Sequence, residues 1–343
     1  MTLKTIGVAA LAAALLGATS STDLRASLRS TATRYYEQIT SIAPVVGSDT
    51  AVDFLQRLND DGDLMDSTDV PAGYSPETWK AFVRQVATLD LSVADQLLAH
   101  SFQPMSEIRG FGEAFVKSSK DGTMQPVAVY VPASYSPGRP APLVVFLHGY
   151  PQSETQLIAP EFIANLAERT GTIVVAPYGR GYMDFHGSTS DVYDALDAAT
   201  KAFDTDSRKR YLAGYSMGGF SVFEIAPVHP NAWSAIMCIS GGLLNKDAHD
   251  VTAELSSKSF YVLTGAKDDS IPTQYPTATA IYLSASGLPV SFYSLSDGSH
   301  RMITLLPILA QAWEDMHHGI VRSPPPVLGN FGLPSAPMGM TKP

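Results

Sequence analysis

The sequence predicts an α/β fold: a mostly parallel sheet with helices on both faces, preceded by a helical extension. Two observations predict the sheet. Continuous apolar runs recur through the C-terminal two-thirds of the chain, and amphipathic stretches lie between them. Strands that are apolar without alternation are covered on both faces, as in parallel sheets with helical crossovers. A third observation predicts the extension. From about residue 22 to 104 the apolar residues fall at helical spacing.

The elements follow in order. Met1-Thr2-Leu3-Lys4 precedes an apolar Ala/Leu stretch reaching about Ala18, and small residues follow it. A basic start, a short apolar core and small residues read as a secretory signal peptide over residues 1–20, with a periplasmic or secreted address. The stretch is too short to span a bilayer, and no later segment reads as transmembrane. Residues 21–110 form the helical extension. Leu24, Leu28, Tyr35 and Ile39 fall near helical spacing, as do Trp79, Phe82, Val83, Val86 and Leu89. Ser75-Pro76-Glu77 is a helix start, with Ser75 as cap and Pro76 in the first turn. Asp60-Asp61-Gly62-Asp63 reads as a solvated turn rather than a calcium loop, because Gly62 is at the wrong offset and no Glu closes the loop.

From Phe111 the texture changes, and residues 111–320 read as one domain. Ala114-Phe115-Val116-Lys117 and Val127-Ala128-Val129-Tyr130-Val131 flank Lys120-Asp121-Gly122-Thr123 as a hairpin at the sheet edge. Buried strands are expected at 143–147, 172–176, 211–213, 235–239, 260–264 and 290–294. The connection from Gly241 to Ser259 is too short for a cap domain, which leaves the N-terminal helices as the candidate lid. Residues 321–343 are a Pro/Gly-rich tail without periodicity, read as extended or disordered.

Composition narrows the function. The chain has 343 residues, 45% hydrophobic and 16% charged, which suits a globular protein with a sizeable core. Its formal charge of -10 argues against nucleic acid and anionic membrane surfaces as partners. Its one cysteine, Cys238, lies in the apolar run 235–239, so no intramolecular disulfide forms and a buried structural thiol is expected.

The chemistry concentrates at Gly214-Tyr215-Ser216-Met217-Gly218, between an apolar strand and a helix-like run. A serine in that setting sits on a tight strand-to-helix turn with its hydroxyl pushed outward. Side chains at Gly214 or Gly218 would collide with the backbone crossing the turn. A Gly-x-Ser-x-Gly pattern alone is weak; placement raises it. His148-Gly149-Tyr150 follows the strand at 143–147, where a loop can offer a backbone N–H to an oxyanion. Asp268 and Asp269 follow the strand at 260–264, and His300 follows the strand at 290–294. All lie past the C-terminal ends of strands, where open α/β sheets place their sites. The order Ser, Asp, His is the one expected of a nucleophile elbow. Asp268 and Asp269 compete for the acid. Asp297 reads as turn chemistry. His148 reads as a loop organiser and His317-His318 as complements to a helix C-terminus. Asp184 and His186 stand either as pocket lining or as plain loop.

On these motifs the region from about Phe111 to Gly319 resembles α/β-hydrolase-fold serine esterases. It is most similar in pattern to secreted enzymes related to polyhydroxybutyrate depolymerases, feruloyl esterases and prolyl-oligopeptidase-like hydrolases. Pro177-Tyr178-Gly179-Arg180-Gly181 and Asp191-Val192-Tyr193-Asp194 share that likeness. The resemblance implies Ser216 as nucleophile, His300 as general base and Asp268 as its orienting acid. It also implies backbone donors at Tyr150 and Met217, and a pocket drawing on His148, Tyr215, Asp184 and His186. Where such depolymerases often carry a cysteine after the His-Gly pair, this chain has Tyr150. The activity implied is carboxylic-ester hydrolysis, without metal or organic cofactor, on a small-molecule or polysaccharide-linked ester. A serine peptidase of the prolyl-oligopeptidase kind, an acyltransferase and a non-catalytic binding protein on the same fold are the alternatives.

Overall fold

The computed structural model of the protein describes residues 21–181, 185–322 and 332–335. The segment read as a signal peptide, most of the tail, and Asp184 lie outside the described residues. The chain divides into two compact units, Met1–Phe102 and Gln103–Pro343. Among the described residues, no helix is long and apolar enough to cross a membrane.

The first unit is helical: α1 (Ser21–Val46), α2 (Ser48–Asp66) and α3 (Pro76–Ala99). Leu28, Tyr35 and Ile42 of α1, Phe54 and Leu58 of α2, and Val86, Val93 and Leu97 of α3 are buried. Their spacing is that of one apolar stripe per helix. The start of α3 is a capping box. Ser75 Oγ accepts from the Thr78 N–H, and Thr78 Oγ1 accepts from the Ser75 N–H. Pro76 occupies the first helical position, where its missing N–H costs nothing.

The acidic segment corrects one expectation. Asp60 to Asp63 is not a turn but part of α2, and Asp61 is 3% exposed. Asp61 lies three residues after Leu58 and seven after Phe54, on the stripe that faces inward. Gly62 is tolerated because tertiary burial outweighs its propensity cost of about 1 kcal/mol. Asp61 meets Asp90 of α3, itself buried. Arg57 Nη1 lies 3.7 Å from Asp90, and its Nε lies 3.5 Å from Asp53. Burial first, and then the Asp90 carboxylate, push the Asp61 carboxyl well above its ordinary range.

The second unit is built on a mostly parallel sheet. Eight strands form one sheet in the order β1-β2-β4-β3-β5-β6-β7-β8. They are β1 (Gly110–Lys117), β2 (Met124–Val131), β3 (Ala141–Leu147), β4 (Ile173–Pro177), β5 (Thr205–Tyr215), β6 (Ala235–Ile239), β7 (Ser259–Gly265) and β8 (Val290–Leu295). β1 and β2 form an antiparallel hairpin at one edge, and β2 pairs antiparallel with β4. Every other pairing is parallel. The helices covering its two faces are α4 (Glu154–Ile158), α5 (Glu161–Thr170), α6 (Thr189–Ala202), α7 (Met217–Ile225), α8 (Ala248–Glu254), α9 (Gln274–Ala285) and α10 (Leu306–His318).

The buried runs read from sequence are the central strands, and β6 is buried at every position. β5 is longer than the run at 211–213. Its polar start pairs with β3, Thr205 opposite Ala141 and Arg210 opposite Leu143, so ladder bonds extend it past its apolar core. Two late segments carry more than was expected of them. His317 and His318 meet carbonyls of the last turn of α10, Trp313 at 2.7 Å and Glu314 at 2.9 Å, as expected of a helix C-terminus, and His317 is in addition buried against Tyr211 and Trp313. In the tail, Leu333 packs against the main core and the Asn245 N–H donates to the Pro334 carbonyl, so this short piece is held by the domain.

Candidate active site

The parallel strands deliver four loops to one end of the sheet. His148 follows β3, Ser216 follows β5, Asp268 lies beyond β7, and His300 lies beyond β8. Ser216 occupies a single strained residue between β5 and α7, with φ 53° and ψ -114°. Positive φ costs a side-chain-bearing residue roughly 1–3 kcal/mol and persists only where the surroundings over-determine it. Two glycines let the chain crowd around it. A Cβ on Gly214 would lie 2.1 Å from the Gly218 carbonyl oxygen, and one on Gly218 would lie 2.3 Å from that of Leu147. The elbow is pinned by the Ser216 N–H donating to Ile239 O at 2.8 Å and by the Gly218 N–H donating to His148 O at 3.1 Å.

Ser216, His300 and Asp268 form one chain of hydrogen bonds. Ser216 Oγ lies 2.9 Å from His300 Nε2. His300 Nδ1 lies 2.9 Å and 3.0 Å from the two Asp268 carboxylate oxygens. The imidazole that fits carries its proton on Nδ1, donated to Asp268, and leaves Nε2 free to accept from the serine. The Asp268 side chain is fully buried, at 0% exposure. Its Oδ1 accepts from the backbone N–H groups of Ile271 at 2.7 Å and Ser270 at 3.0 Å. Burial raises the Asp268 pKa, but the bond from His300 and the two backbone donors outweigh it, and the carboxyl is held below its ordinary value. Asp269, the competing acid, is exposed, with one oxygen 3.4 Å from Ser270 Oγ.

A close approach of two loops makes the pairing of His300 with Asp268 possible. A Cβ on Gly265 would stand 2.3 Å from the Gly298 carbonyl oxygen, and Lys267 N–H donates to that oxygen at 2.8 Å. The loops that carry the acid and the base thus pack glycine to glycine. Met217 is the first residue of α7, so its N–H has no acceptor within the helix. Tyr150 is half-exposed beside Gly149, and a Cβ on Gly149 would lie 3.1 Å from Ser216 Cβ.

The remaining expected residues are placed as follows. His148 is buried, with its ring nitrogens 2.8 Å from the carbonyl oxygens of Gly149 and Tyr178. It ties the loop after β3 to the loop after β4. His186 is exposed and pairs with Glu224 of α7, which also meets Lys246 at 3.4 Å. Tyr215 donates its hydroxyl to the His300 carbonyl at 2.7 Å. The pairing that braces the β4 loop is not visible in the sequence, although Arg180 and Asp191 lie in motifs that carry the family likeness. Arg180, itself at φ 63°, donates to Asp191, Asp121 and Ser118, joining the β1–β2 hairpin to α6. Its local sequence signal is an arginine between two glycines, with nothing to mark Asp121 and Ser118 as partners. A small cleft lined by Ser118, Gln125, Tyr178 and Asp191 lies over this network and includes none of Ser216, Asp268 or His300.

Comparison with known proteins speaks to the family likeness and the fold. The Esterase family model matches residues 118–275. The bifunctional acetylxylan esterase/xylanase XynS20E of Neocallimastix patriciarum is 29% identical over 127 residues, 36% of this chain and 19% of that protein. The match therefore spans about a fifth of that relative's length. Among solved structures, a ferulic acid esterase is 16% identical and covers 60% of this chain and 96% of that one, with a TM-score of 0.50. The CE1 ferulic acid esterase AmCE1/Fae1A from Anaeromyces mucronatus, in complex with ferulic acid, is 13% identical and covers 60% of this chain and 89% of that one, also at 0.50. At such identities these structures speak to the fold. The chain is an α/β-hydrolase-fold protein that resembles the serine esterases, feruloyl esterases among them.

Proposed function

We propose that the protein is a serine esterase that cleaves carboxylic esters through an acyl-enzyme on Ser216. The observation that carries this reading is the unbroken chain from Ser216 Oγ through His300 to Asp268, with spacings of 2.9 Å at each link. In the first half-reaction Ser216 Oγ attacks the ester carbonyl carbon while His300 Nε2 takes the serine proton. The carbonyl oxygen becomes an oxyanion, met by the backbone N–H groups of Met217 and Tyr150. Such donors contribute about 3–4 kcal/mol each to lowering the barrier. Collapse breaks the bond to the alcohol oxygen, which leaves with the proton from His300. Water then gives its proton to His300 and attacks the acyl carbon, and the acid departs as Ser216 regains its hydrogen. Asp268 holds the imidazole tautomer and stabilises the imidazolium formed in each half.

The substrate class we favour is an acyl ester on a plant polysaccharide. It draws on the acetylxylan and ferulic acid esterases this chain resembles. An extracytoplasmic address, read from the N-terminal Ala/Leu run, suits such a polymer-borne ester.

The experiment is hydrolysis of a panel of acetyl, butyryl and feruloyl esters by the wild type and by Ser216→Ala, with a fluorophosphonate probe alongside. The wild type should hydrolyse members of the panel and take the probe. Ser216→Ala should fold and lose on the order of a million-fold in turnover, with no labelling. A variant that keeps more than a few per cent of turnover would sink the assignment.

A further inference from the structure

The loop that carries His300 is held by bonds of its own and by the acid's loop, whose Lys267 N–H donates to the Gly298 carbonyl at 2.8 Å. Ser299 N–H donates to Thr304 Oγ1 at 2.9 Å, and the Thr304 hydroxyl donates to the Arg301 carbonyl at 2.7 Å. These bonds shape the loop but do not fix it relative to the elbow that carries Ser216. Besides the imidazole's own contact with Ser216 Oγ, one side chain does. Tyr215, the last residue of β5 and the neighbour of Ser216, donates its hydroxyl to the His300 carbonyl at 2.7 Å. Its ring also lies against the imidazole, with centroids 5.3 Å apart and planes tilted by 33°. The ring meets the oxyanion loop as well. A Cβ on Gly149 would stand 3.1 Å from Tyr215 Cδ1 and Cε1. Tyr215 therefore touches the nucleophile's elbow by peptide bond, the oxyanion loop through its ring, and the base's loop through ring and hydroxyl.

We infer that Tyr215 is a positioning residue that sets His300 against Ser216, rather than a wall of the substrate pocket. The inference rests on the proposal that His300 is the base. Its physical content is a short lever. The anchor of the base sits one residue from the nucleophile, so motion of β5 carries both partners together. A link from a distant element would let the 2.9 Å contact between Oγ and Nε2 drift with every relative movement of the two loops. Proton transfer tolerates little of that, because a displacement of about 1 Å can cost on the order of a hundredfold in rate.

The test compares Tyr215→Phe and Tyr215→Leu with wild type, using a p-nitrophenyl ester and counting active sites with a fluorophosphonate. Tyr215→Phe keeps the ring and deletes the hydroxyl. It should lower kcat per labelled site about five- to tenfold, the worth of one ordinary hydrogen bond, and leave KM within twofold. Tyr215→Leu removes both contacts and should lower kcat by on the order of a hundredfold. In the proton spectrum, the low-field resonance of the His300 Nδ1–H should broaden in both variants as the ring loses its fixed seat. A purely structural role would lower thermal stability and the labelled fraction but leave kcat per labelled site and that resonance alone. The inference is overturned if kcat per site in Tyr215→Phe stays within twofold of wild type. It is equally overturned if KM rises while kcat holds, which would make Tyr215 a substrate contact. Ser216→Ala separates this failure from failure of the esterase reading, because that variant loses turnover whatever Tyr215 does.

Discussion

Replacing Asp268 by asparagine isolates what the buried carboxylate does for the imidazole. Oδ1 of Asp268 holds two backbone N–H groups, Ile271 at 2.7 Å and Ser270 at 3.0 Å, while Oδ2 faces His300 Nδ1 at 2.9 Å. An asparagine can enter this cage in two ways. Turning its NH2 toward Ile271 and Ser270 would leave two donors facing a donor, at about 1–3 kcal/mol each. Keeping its carbonyl oxygen on those N–H groups retains both bonds, so this orientation wins and the fold survives. The NH2 then takes the Oδ2 place 2.9 Å from Nδ1, while the retained oxygen, 3.0 Å from Nδ1, already holds two N–H groups, so the ring is turned toward offering a lone pair to the NH2 instead of a hydrogen. The ring proton moves to Nε2, where it points at Ser216 Oγ and cannot accept the serine hydrogen. A wrong tautomer of this kind lowers turnover by about ten-thousandfold, roughly 5 kcal/mol at 1.36 kcal/mol per tenfold. The assay is kcat and KM for a p-nitrophenyl ester at pH 7.5, with circular dichroism to check the fold. Asp269→Asn, at an exposed position, should stay within about threefold of wild type because surface changes cost little. A folded Asp268→Asn enzyme within tenfold of wild type, or a larger loss in Asp269→Asn, would refute the assignment of the acid.

Two further predictions concern stability. Burial pushes the His317 imidazole down to about 4, with smaller contributions from Lys209 and His318. The folded protein thus holds this ring neutral while the unfolded chain protonates it near the ordinary value of ~6.5. Stability should be complete above that value and fall as pH drops from about 6.5 toward 4, by an amount on the order of 3 kcal/mol. Thermal midpoints at pH 7.5 and 4.5 should differ less in His317→Gln than in wild type, and an equal difference would contradict this account. Asp61 behaves oppositely, since its folded-state pKa is raised by burial and by Asp90. Facing it are Asp90 of α3 and Arg57 and Asp60 of α2; Arg57 also meets Asp53, and Tyr35 of α1 lies near Arg57 and Asp53. The folded helices keep a proton that the unfolded chain releases above about 3.9, so their stability falls as pH rises from there toward the raised folded value. Asp61→Asn supplies the same donor to Asp90 without a proton to lose. Hydrogen exchange of α2 amides, corrected for intrinsic rates, should show less loss of protection between pH 5 and 8 in the variant. An unchanged loss would rule out Asp61 as its source.

Much of the fold was legible because parallel strands leave a one-dimensional trace. The runs at 143–147, 235–239 and 260–264 are apolar at nearly every position, since both faces of those strands are covered. The elbow was legible because its constraint is local: Gly214 and Gly218 lie within the few residues that must crowd around Ser216. What escaped depends on residues distant in sequence. The approach of Gly265 to Gly298 joins two loops separated by a helix and a strand, and neither glycine signals it alone. Tyr215 looked like a pocket aromatic because its partner is a backbone carbonyl 85 residues away, to which any residue type contributes equally. Asp60 to Asp63 misled because three acids around a glycine suggest solvent, whereas the helical register turns one of them inward, onto a partner acid in another helix.

The order of strands has a kinetic meaning as well as a geometric one. The nucleophile springs from β5, flanked by β3 and β6 in the sheet's interior, while the base hangs from β8, which is hydrogen-bonded to β7 alone. Interior strands open only when the whole sheet does, but a border strand can detach at a fraction of that free energy. An opening confined to β8 would leave the elbow intact while it loaded the Tyr215 tie that holds His300 beside Ser216. Activity would then be lost at a lower free-energy cost than the fold, and regained as the border strand recloses.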